Sequence, residues 1–129
     1  MVIEHVAFQH PAPVEAAEWY CAQLGLRVAR ASDGPAKARF LADSAGRTVL
    51  EIYRNPAAPV PDYPAQSPLT LHVALLSDAP DADVARLTAA GATLVEKPAP
   101  TADGDLLGML RDPWGVPLQI VLRAKPLLG

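Results

Sequence analysis

Four polar residues occupy matching places in the two halves of the chain, and their side chains are of the kinds that bind divalent metals. His5 and His72 each begin the tripeptide His-Val-Ala. Glu51 follows His5 by 46 residues, Gln119 follows His72 by 47, and each lies in a Leu-x-Ile segment. Two imidazoles, one carboxylate and one amide oxygen form a possible ligand set for a transition metal. We therefore predict that these four residues form a metal site if the two halves are related by a pseudo-twofold axis.

The elements that position these residues follow the same order in each half. Apolar alternation with a period of two predicts strands, and apolar residues three and four apart before a glycine predict helices. The first half has predicted strands at 2–8, 26–31, 37–42 and 48–54, with a helix at 13–24. The second half has predicted strands at 69–76, 93–97, 105–111 and 117–123, with a helix at 82–90. Each half is thus a βαβββ module, and the fold class is α+β.

The boundary between the modules is predicted from proline content. Residues 55–68 contain five prolines, which favour an extended linker and disfavour a helix or a central strand. The predicted organisation is a single domain over 1–129, with modules at 1–54 and 69–123. Neither module can cover both faces of its own small sheet, so the two are expected to pair.

Strand alternation also predicts the direction of the polar side chains. Leu50 and Ile52 share one face of their strand and Glu51 lies on the other, and Gln119 is flanked in the same way. The apolar faces are expected to pack against the helices. A carboxylate buried without a partner costs several kcal/mol. A metal, a cation or a bound ligand is therefore expected beside Glu51.

Further residues are candidates for contact with a ligand. Tyr53, Met109 and Trp114 are candidates for lining a cavity, with packing in the core or in a turn as the equal alternative, and Arg39 together with Asn55 are candidates for contact with an anionic substrate. Cys21 lies on the apolar stripe of the first helix, where packing is its expected role. His10 lies in the loop after the first strand and is expected to be exposed to solvent, with a place at the rim of a pocket as the alternative.

Composition excludes several classes of function. The net charge is −3, and there is no basic stripe interleaved with aromatic residues, so a nucleic-acid partner is not expected. No apolar stretch is long enough to span a bilayer, and the first residues do not have the pattern of a signal peptide. The single cysteine permits no internal disulfide. We predict a cytoplasmic globular protein without a membrane partner.

Taken together, these segments resemble the vicinal-oxygen-chelate superfamily, which includes glyoxalase I, bleomycin-resistance proteins and extradiol dioxygenases. The matching segments are Ile3–Ala7, Ala17–Leu26, Leu50-Glu51, Leu71–Ala74, Leu87–Ala92 and Arg111–Gly115 leading to Leu118-Gln119. The resemblance implies a curved, cup-like mixed sheet with helices outside, a divalent metal (Zn, Ni, Mn or Fe) and a homodimer. It assigns the metal positions to His5, Glu51, His72 and Gln119.

The resemblance leaves three functions open. The first is a metal-dependent lyase or isomerase that chelates a small substrate through adjacent oxygens, with Glu51 as the group that moves a proton. Glyoxalase I enzymes typically have Glu at the last metal position, where this chain has Gln119. That departure supports a second function, metal-free binding of a small molecule or antibiotic. A non-haem iron dioxygenase is the third, because His5, His72 and Glu51 match its ligand set.

Overall fold

The first half of the chain folds as one mixed sheet covered by one helix. A computed structural model describes residues 1–128. The chain forms two compact units, Met1–Pro61 and Asp62–Gly129. The elements of the first unit are β1 (Val6–Gln9), α1 (Pro13–Leu24), β2 (Arg27–Ala31), β3 (Arg39–Ala42) and β4 (Val49–Tyr53). The strand order is β1-β4-β3-β2, with β1 parallel to β4 and the other pairs antiparallel.

The second unit repeats this topology. A short 3₁₀ helix (Tyr63–Ala65) precedes β5 (Val73–Leu76), α2 (Pro80–Ala89), β6 (Thr93–Pro100), β7 (Leu106–Arg111) and β8 (Pro117–Leu122). The order is β5-β8-β7-β6, again with the first strand parallel to the last. The predicted α+β class and the two βαβββ modules are therefore confirmed.

Helix boundaries follow from proline and glycine. Pro13 and Pro80 begin the two helices, where proline's missing N–H has no hydrogen bond to lose. Gly25 ends α1 with φ of +70°, a left-handed conformation that favours glycine. α2 starts two residues earlier than predicted, because Pro80 is compatible with the first helical turn.

Each helix covers the apolar face of its own sheet. α1 packs against β2, β3 and β4, and α2 packs against β6, β7 and β8. Leu41 and Ile52 are fully buried in the first unit, as are Leu110 and Leu118 in the second. Leu50 is half-buried on the same face as Ile52. The prediction that the apolar faces of the last strands lie against the helices is confirmed.

The first strands of both units and the predicted linker also differ from their predicted form. β1 and β5 start later than expected, so His5 and His72 lie directly before their strands instead of inside them. Each of these strands has a single neighbour in its sheet, and the ladder with that neighbour begins at Val6 and at Val73. The predicted linker is not extended throughout, since Tyr63–Ala65 forms a 3₁₀ turn in which Pro64 is accommodated in the first positions. No helix within residues 1–128 is long and apolar enough to cross a membrane.

Candidate functional site

Cross-strand register places chemically distinct residues side by side in the first sheet. Ala7 pairs with Glu51, Glu51 with Phe40, and Phe40 with Arg30. Directly paired residues project from the same face of a sheet. We refer to these four residues as the Glu51 row. The row lies on the face opposite the buried Ile52, so α1 does not cover it.

The second sheet has an equivalent row. Ala74 pairs with Gln119, Gln119 with Met109, and Met109 with Glu96. We refer to these residues as the Gln119 row. A register shift precedes Arg30 in β2 and Glu96 in β6, so the irregularity is repeated in both units. Glu51 and Gln119 therefore occupy the same structural position, as their sequence spacing predicts.

The imidazole of His5 contacts two carboxylates, that of Glu51 in the Glu51 row and that of Glu4, its neighbour in sequence. Its Nε2 lies 3.2 Å from Oε2 of Glu51, and its Nδ1 is hydrogen-bonded to the carboxylate of Glu4. The hydrogen bond with Glu4 raises the pKa of His5, desolvation opposes this, and the charges of Glu4 and Glu51 raise the pKa further. The imidazole also packs edge-on with the ring of Phe40 at 5.4 Å between centroids.

His72 occupies the equivalent place in the second unit with a different partner. Its Nδ1 lies 2.9 Å from the carbonyl oxygen of Pro68. A carbonyl oxygen can only accept, so Nδ1 carries the proton and Nε2 keeps its lone pair in the neutral ring. Metal-binding histidines typically donate their second ring N–H to a carboxylate or a carbonyl. Both His5 and His72 have an oxygen in that position.

The remaining predicted site residues are distributed over several places. Tyr53 is half-buried two residues beyond Glu51 on the same face, and Met109 is buried beside Gln119. Trp114 lies in the turn between β7 and β8, where its backbone N–H donates to Oδ1 of Asp112 at 2.9 Å. The substrate-binding roles of these residues stay predictions.

The two residues proposed to meet an anion are engaged with the backbone. Arg39 pairs with Ile52, which places it on the face opposite Glu51. Its Nη1 donates to the carbonyl oxygens of Ser32, Lys37 and Ala38 at 2.9, 3.3 and 3.0 Å. The backbone N–H of Asn55 donates to Oε1 of the buried Gln9 at 2.7 Å. These contacts secure a turn and the chain beyond β4.

The prediction that His10 is exposed is wrong, because its side chain is fully buried. Nδ1 of His10 accepts the backbone N–H of Ala12 at 3.0 Å, immediately before α1. Ser77 does the same before α2, where its hydroxyl accepts the N–H of Ala79 at 3.0 Å. His10 thus satisfies a backbone donor at the start of a helix, a role that its loop position did not indicate.

The side chains of His5, His72, Glu51 and Gln119 are chemically suited to a divalent metal, although only one of the two oxygen donors is a carboxylate. Imidazole Nε2 atoms and a carboxylate oxygen are ligands for Zn²⁺ and its neighbours, and the amide oxygen of Gln119 is a neutral oxygen donor. Among residues 1–128, no three His, Cys, Asp or Glu side chains lie close enough together to hold an ion. The pair of His5 and Glu51 therefore needs further donors to complete a metal site.

Sequence reasoning missed three residues beside this pair. Glu4 was adjacent to His5 in sequence, but only the folded chain turns its carboxylate toward the ring. Phe40 and Arg30 lie on other strands. The register shift in β2 interrupts the alternation of side chains, so the face on which Arg30 lies cannot be predicted from the sequence of β2 alone. Alternation within β3 would have placed Phe40 correctly once its pairing with Glu51 was known.

Comparison with known proteins agrees with this topology. The profile of the Glyoxalase/Bleomycin resistance protein/Dioxygenase superfamily matches residues 2–120. No curated protein matches the sequence. A glyoxalase family protein from Bacillus cereus has a similar structure, with a TM-score of 0.78, 16% identity, and coverage of 95% of this chain and 93% of that one.

Two further solved structures have the same fold. One is a superfamily member from Sphaerobacter thermophilus DSM 20745, with a TM-score of 0.74, 15% identity, and coverage of 95% of this chain and 99% of that one. The other is a glyoxalase I mutant from Zea mays, with a TM-score of 0.72 and 19% identity, where 94% of this chain matches 45% of that one. Because the profile match spans nearly all of the described residues, this chain belongs to the Glyoxalase/Bleomycin resistance protein/Dioxygenase superfamily.

Proposed function

We propose that this protein is a metal-dependent, glyoxalase-like enzyme of the lyase or isomerase type, acting on a small substrate with two adjacent oxygens. The observation that carries the proposal is the pairing of His5 Nε2 with Glu51 Oε2 at 3.2 Å, where Glu51 lies on the face of its sheet opposite the buried Ile52. An imidazole and a carboxylate so close together suit joint binding of a cation. Superfamily membership supports the same assignment.

The proposed ligands are His5, Glu51, His72 and Gln119. The Nδ1–H groups of His5 and His72 donate to the carboxylate of Glu4 and to the carbonyl oxygen of Pro68, which leaves Nε2 as the ligating atom in each ring. A bound divalent ion would supply positive charge to the two neighbouring oxygens of the substrate. Zn, Ni, Mn and Fe are all compatible with nitrogen and oxygen donors.

Glu51 is the proposed proton carrier. In the first step, one of its carboxylate oxygens accepts the proton of a carbon next to a substrate carbonyl, and the electron pair moves to that carbonyl oxygen. In the second, the same carboxyl returns the proton to the former carbonyl carbon while the proton of the adjacent hydroxyl passes to the other oxygen, which gives an isomer. In a lyase reaction the enolate electron pair instead re-forms the carbonyl and expels a leaving group, which takes up the proton from the carboxyl. Gln119 carries no basic group, so it contributes as a neutral oxygen donor only.

Two measurements test this function. Elemental analysis of protein purified without added metal or chelator is expected to find about one transition-metal equivalent per chain in the parent. The His5→Ala/His72→Ala double variant is expected to contain none, and Glu18→Gln, an exposed carboxylate on α1, is the matched control. In D₂O, the metal-loaded parent is further expected to catalyse the replacement of the carbon-bound protons of hydroxyacetone by deuterons. The Glu51→Gln variant is expected to lack this exchange activity. A parent that binds none of the candidate ions contradicts the proposal.

A second candidate, metal-free binding of a small molecule, is favoured by two observations. Gln119 replaces a charged donor with a neutral one, and no three acidic, His or Cys side chains gather within residues 1–128. In that function the four residues serve as hydrogen-bonding groups, and His72→Ala leaves ligand binding nearly unchanged. The iron dioxygenase function, the homodimer and the cytoplasmic location stay predictions of the sequence.

A further inference from the structure

We propose that Arg30 and Phe40 form a subsite that binds the anionic end and the apolar body of the substrate. The inference rests on the proposed function, because it places this subsite beside His5 and Glu51. The substrate class that follows is a small organic acid with two adjacent oxygens at one end and a carboxylate at the other. Arg39, the arginine singled out by the sequence, does not share this face.

The first argument is the geometry of the Glu51 row. Phe40 lies between Glu51 on β4 and Arg30 on β2 in the register of the sheet. Its ring centroid is 5.4 Å from that of His5 and 5.9 Å from Cζ of Arg30. The imidazole and the guanidinium therefore both border the same ring. A molecule of one aromatic ring and its substituents is long enough to contact both groups.

The second argument is that the guanidinium of Arg30 has donors to spare. The ring of Phe40 is its contact, and among residues 1–128 no acceptor forms a hydrogen bond or ion pair with it. A guanidinium has five N–H donors in a planar fork that matches a carboxylate. Arg39 and Arg111, by contrast, are each bonded to three backbone carbonyl oxygens.

The third argument comes from the repeat. The position equivalent to Arg30 is Glu96, and the position equivalent to Phe40 is Met109. The βαβββ fold and the register shift that precedes this position occur in both units, but the charge at this position is reversed. The fold alone therefore does not require a cation here. An anion is attracted to Arg30 at the outer end of the Glu51 row and repelled by Glu96 at the outer end of the Gln119 row.

The test compares two probes that differ by one carboxylate. Catechol has two adjacent oxygens, and 3,4-dihydroxybenzoate has the same pair with a carboxylate across the ring. Dissociation constants are measured by NMR titration of the full chain as purified, with its metal content determined on the same sample. The parent is expected to bind 3,4-dihydroxybenzoate about five-fold more tightly than catechol, a modest factor because Arg30 is exposed.

Four variants make the result specific. Arg30→Gln is expected to abolish the preference for the carboxylate, and Arg30→Lys to retain part of it, because an ammonium keeps the charge and loses the fork. Arg47→Gln removes the same charge from the exposed turn between β3 and β4 and is expected to leave the preference unchanged. Phe40→Leu is expected to weaken the binding of both probes by a similar factor, because it removes the aromatic contact that both probes share.

The outcomes separate this inference from the proposed function. A parent that binds none of the candidate ions contradicts the proposed function. The ratio of the two dissociation constants is measured in either case, and that ratio tests the role of Arg30. The inference is overturned if the parent shows no preference, if Arg30→Gln keeps it, or if neither probe binds at millimolar concentration. Circular dichroism of each variant verifies that the fold is retained.

Discussion

Glu51 and Gln119 occupy the same position in the two sheets, each paired with the second residue of a parallel edge strand. Ala7 of β1 is the partner of Glu51, and Ala74 of β5 is the partner of Gln119. The two side chains have nearly the same size and shape and differ in charge. This single difference makes the second unit the weaker half of the proposed ligand set, and it can be reversed by one substitution.

Gln119→Glu is expected to strengthen metal binding by roughly ten-fold, because ligand charge strongly tunes the affinity of an oxygen donor for a divalent cation. Affinity is measured by competition with a chromogenic chelator. Gln66→Glu adds the same charge elsewhere in the second unit and is the control. Equal affinity of parent and Gln119→Glu would remove Gln119 from the proposed ligand set.

Glu4→Gln is expected to weaken metal binding several-fold without changing the fold. The carboxylate of Glu4 holds Nδ1 of His5, and loss of such a partner typically reduces metal affinity by about ten-fold or more. A smaller factor is expected here because the side chain of Glu4 is largely exposed to solvent. The same chelator competition measures it, with Glu15→Gln on α1 as the control. An unchanged affinity in Glu4→Gln would show that Glu4 does not position the ring.

Gly115→Ala is expected to destabilise the protein by about 3 kcal/mol, from steric overlap together with an unfavourable backbone conformation. Gly115 has φ of +98°, and an added Cβ would lie 2.5 Å from Cγ of Pro64. Gly46→Ala is the matched control: φ there is +67° and no atom lies within 4 Å of the added Cβ, so about 1 kcal/mol is expected. Urea denaturation followed by circular dichroism gives both values. Equal losses would indicate that Pro64 moves aside without cost.

Asp105 is expected to contribute stability that is lost in acid. The N–H of Ala124 and the guanidinium of Arg123, at 2.8 and 2.6 Å, lower the pKa of its carboxyl in the folded chain. A carboxyl with a lowered folded pKa stabilises the fold above its unfolded pKa, about 3.9. This contribution is lost as the pH falls from there through the folded value.

The corresponding measurement is urea denaturation between pH 2.5 and 6 for the parent and Asp105→Asn. The variant is expected to be less stable at pH 6 and to converge with the parent at the acid end. Asp103→Asn, an exposed residue in the same turn, is the control and should follow the parent throughout. A constant difference between parent and Asp105→Asn across the range would contradict a role for ionisation.

Much of this protein could be predicted from short-range patterns. Alternation of apolar residues identified the four strands of each unit and the faces of Glu51 and Gln119, because side chains on a strand point alternately to opposite sides. Proline and glycine marked the helix ends through their own backbone preferences. The His-Val-Ala repeat predicted that the two modules share one topology, as their identical strand orders confirm.

Tertiary structure decided what depends on partners distant in sequence. The pairing of β3 with β2, including its register shift, places Arg30 beside Phe40, and neither strand alone encodes that contact. The burial of His10 depends on the packing around the start of α1, where an unpaired backbone N–H would otherwise be left. Local sequence fixes backbone preference and side-chain direction, whereas register and burial are set by the strand or helix that packs alongside.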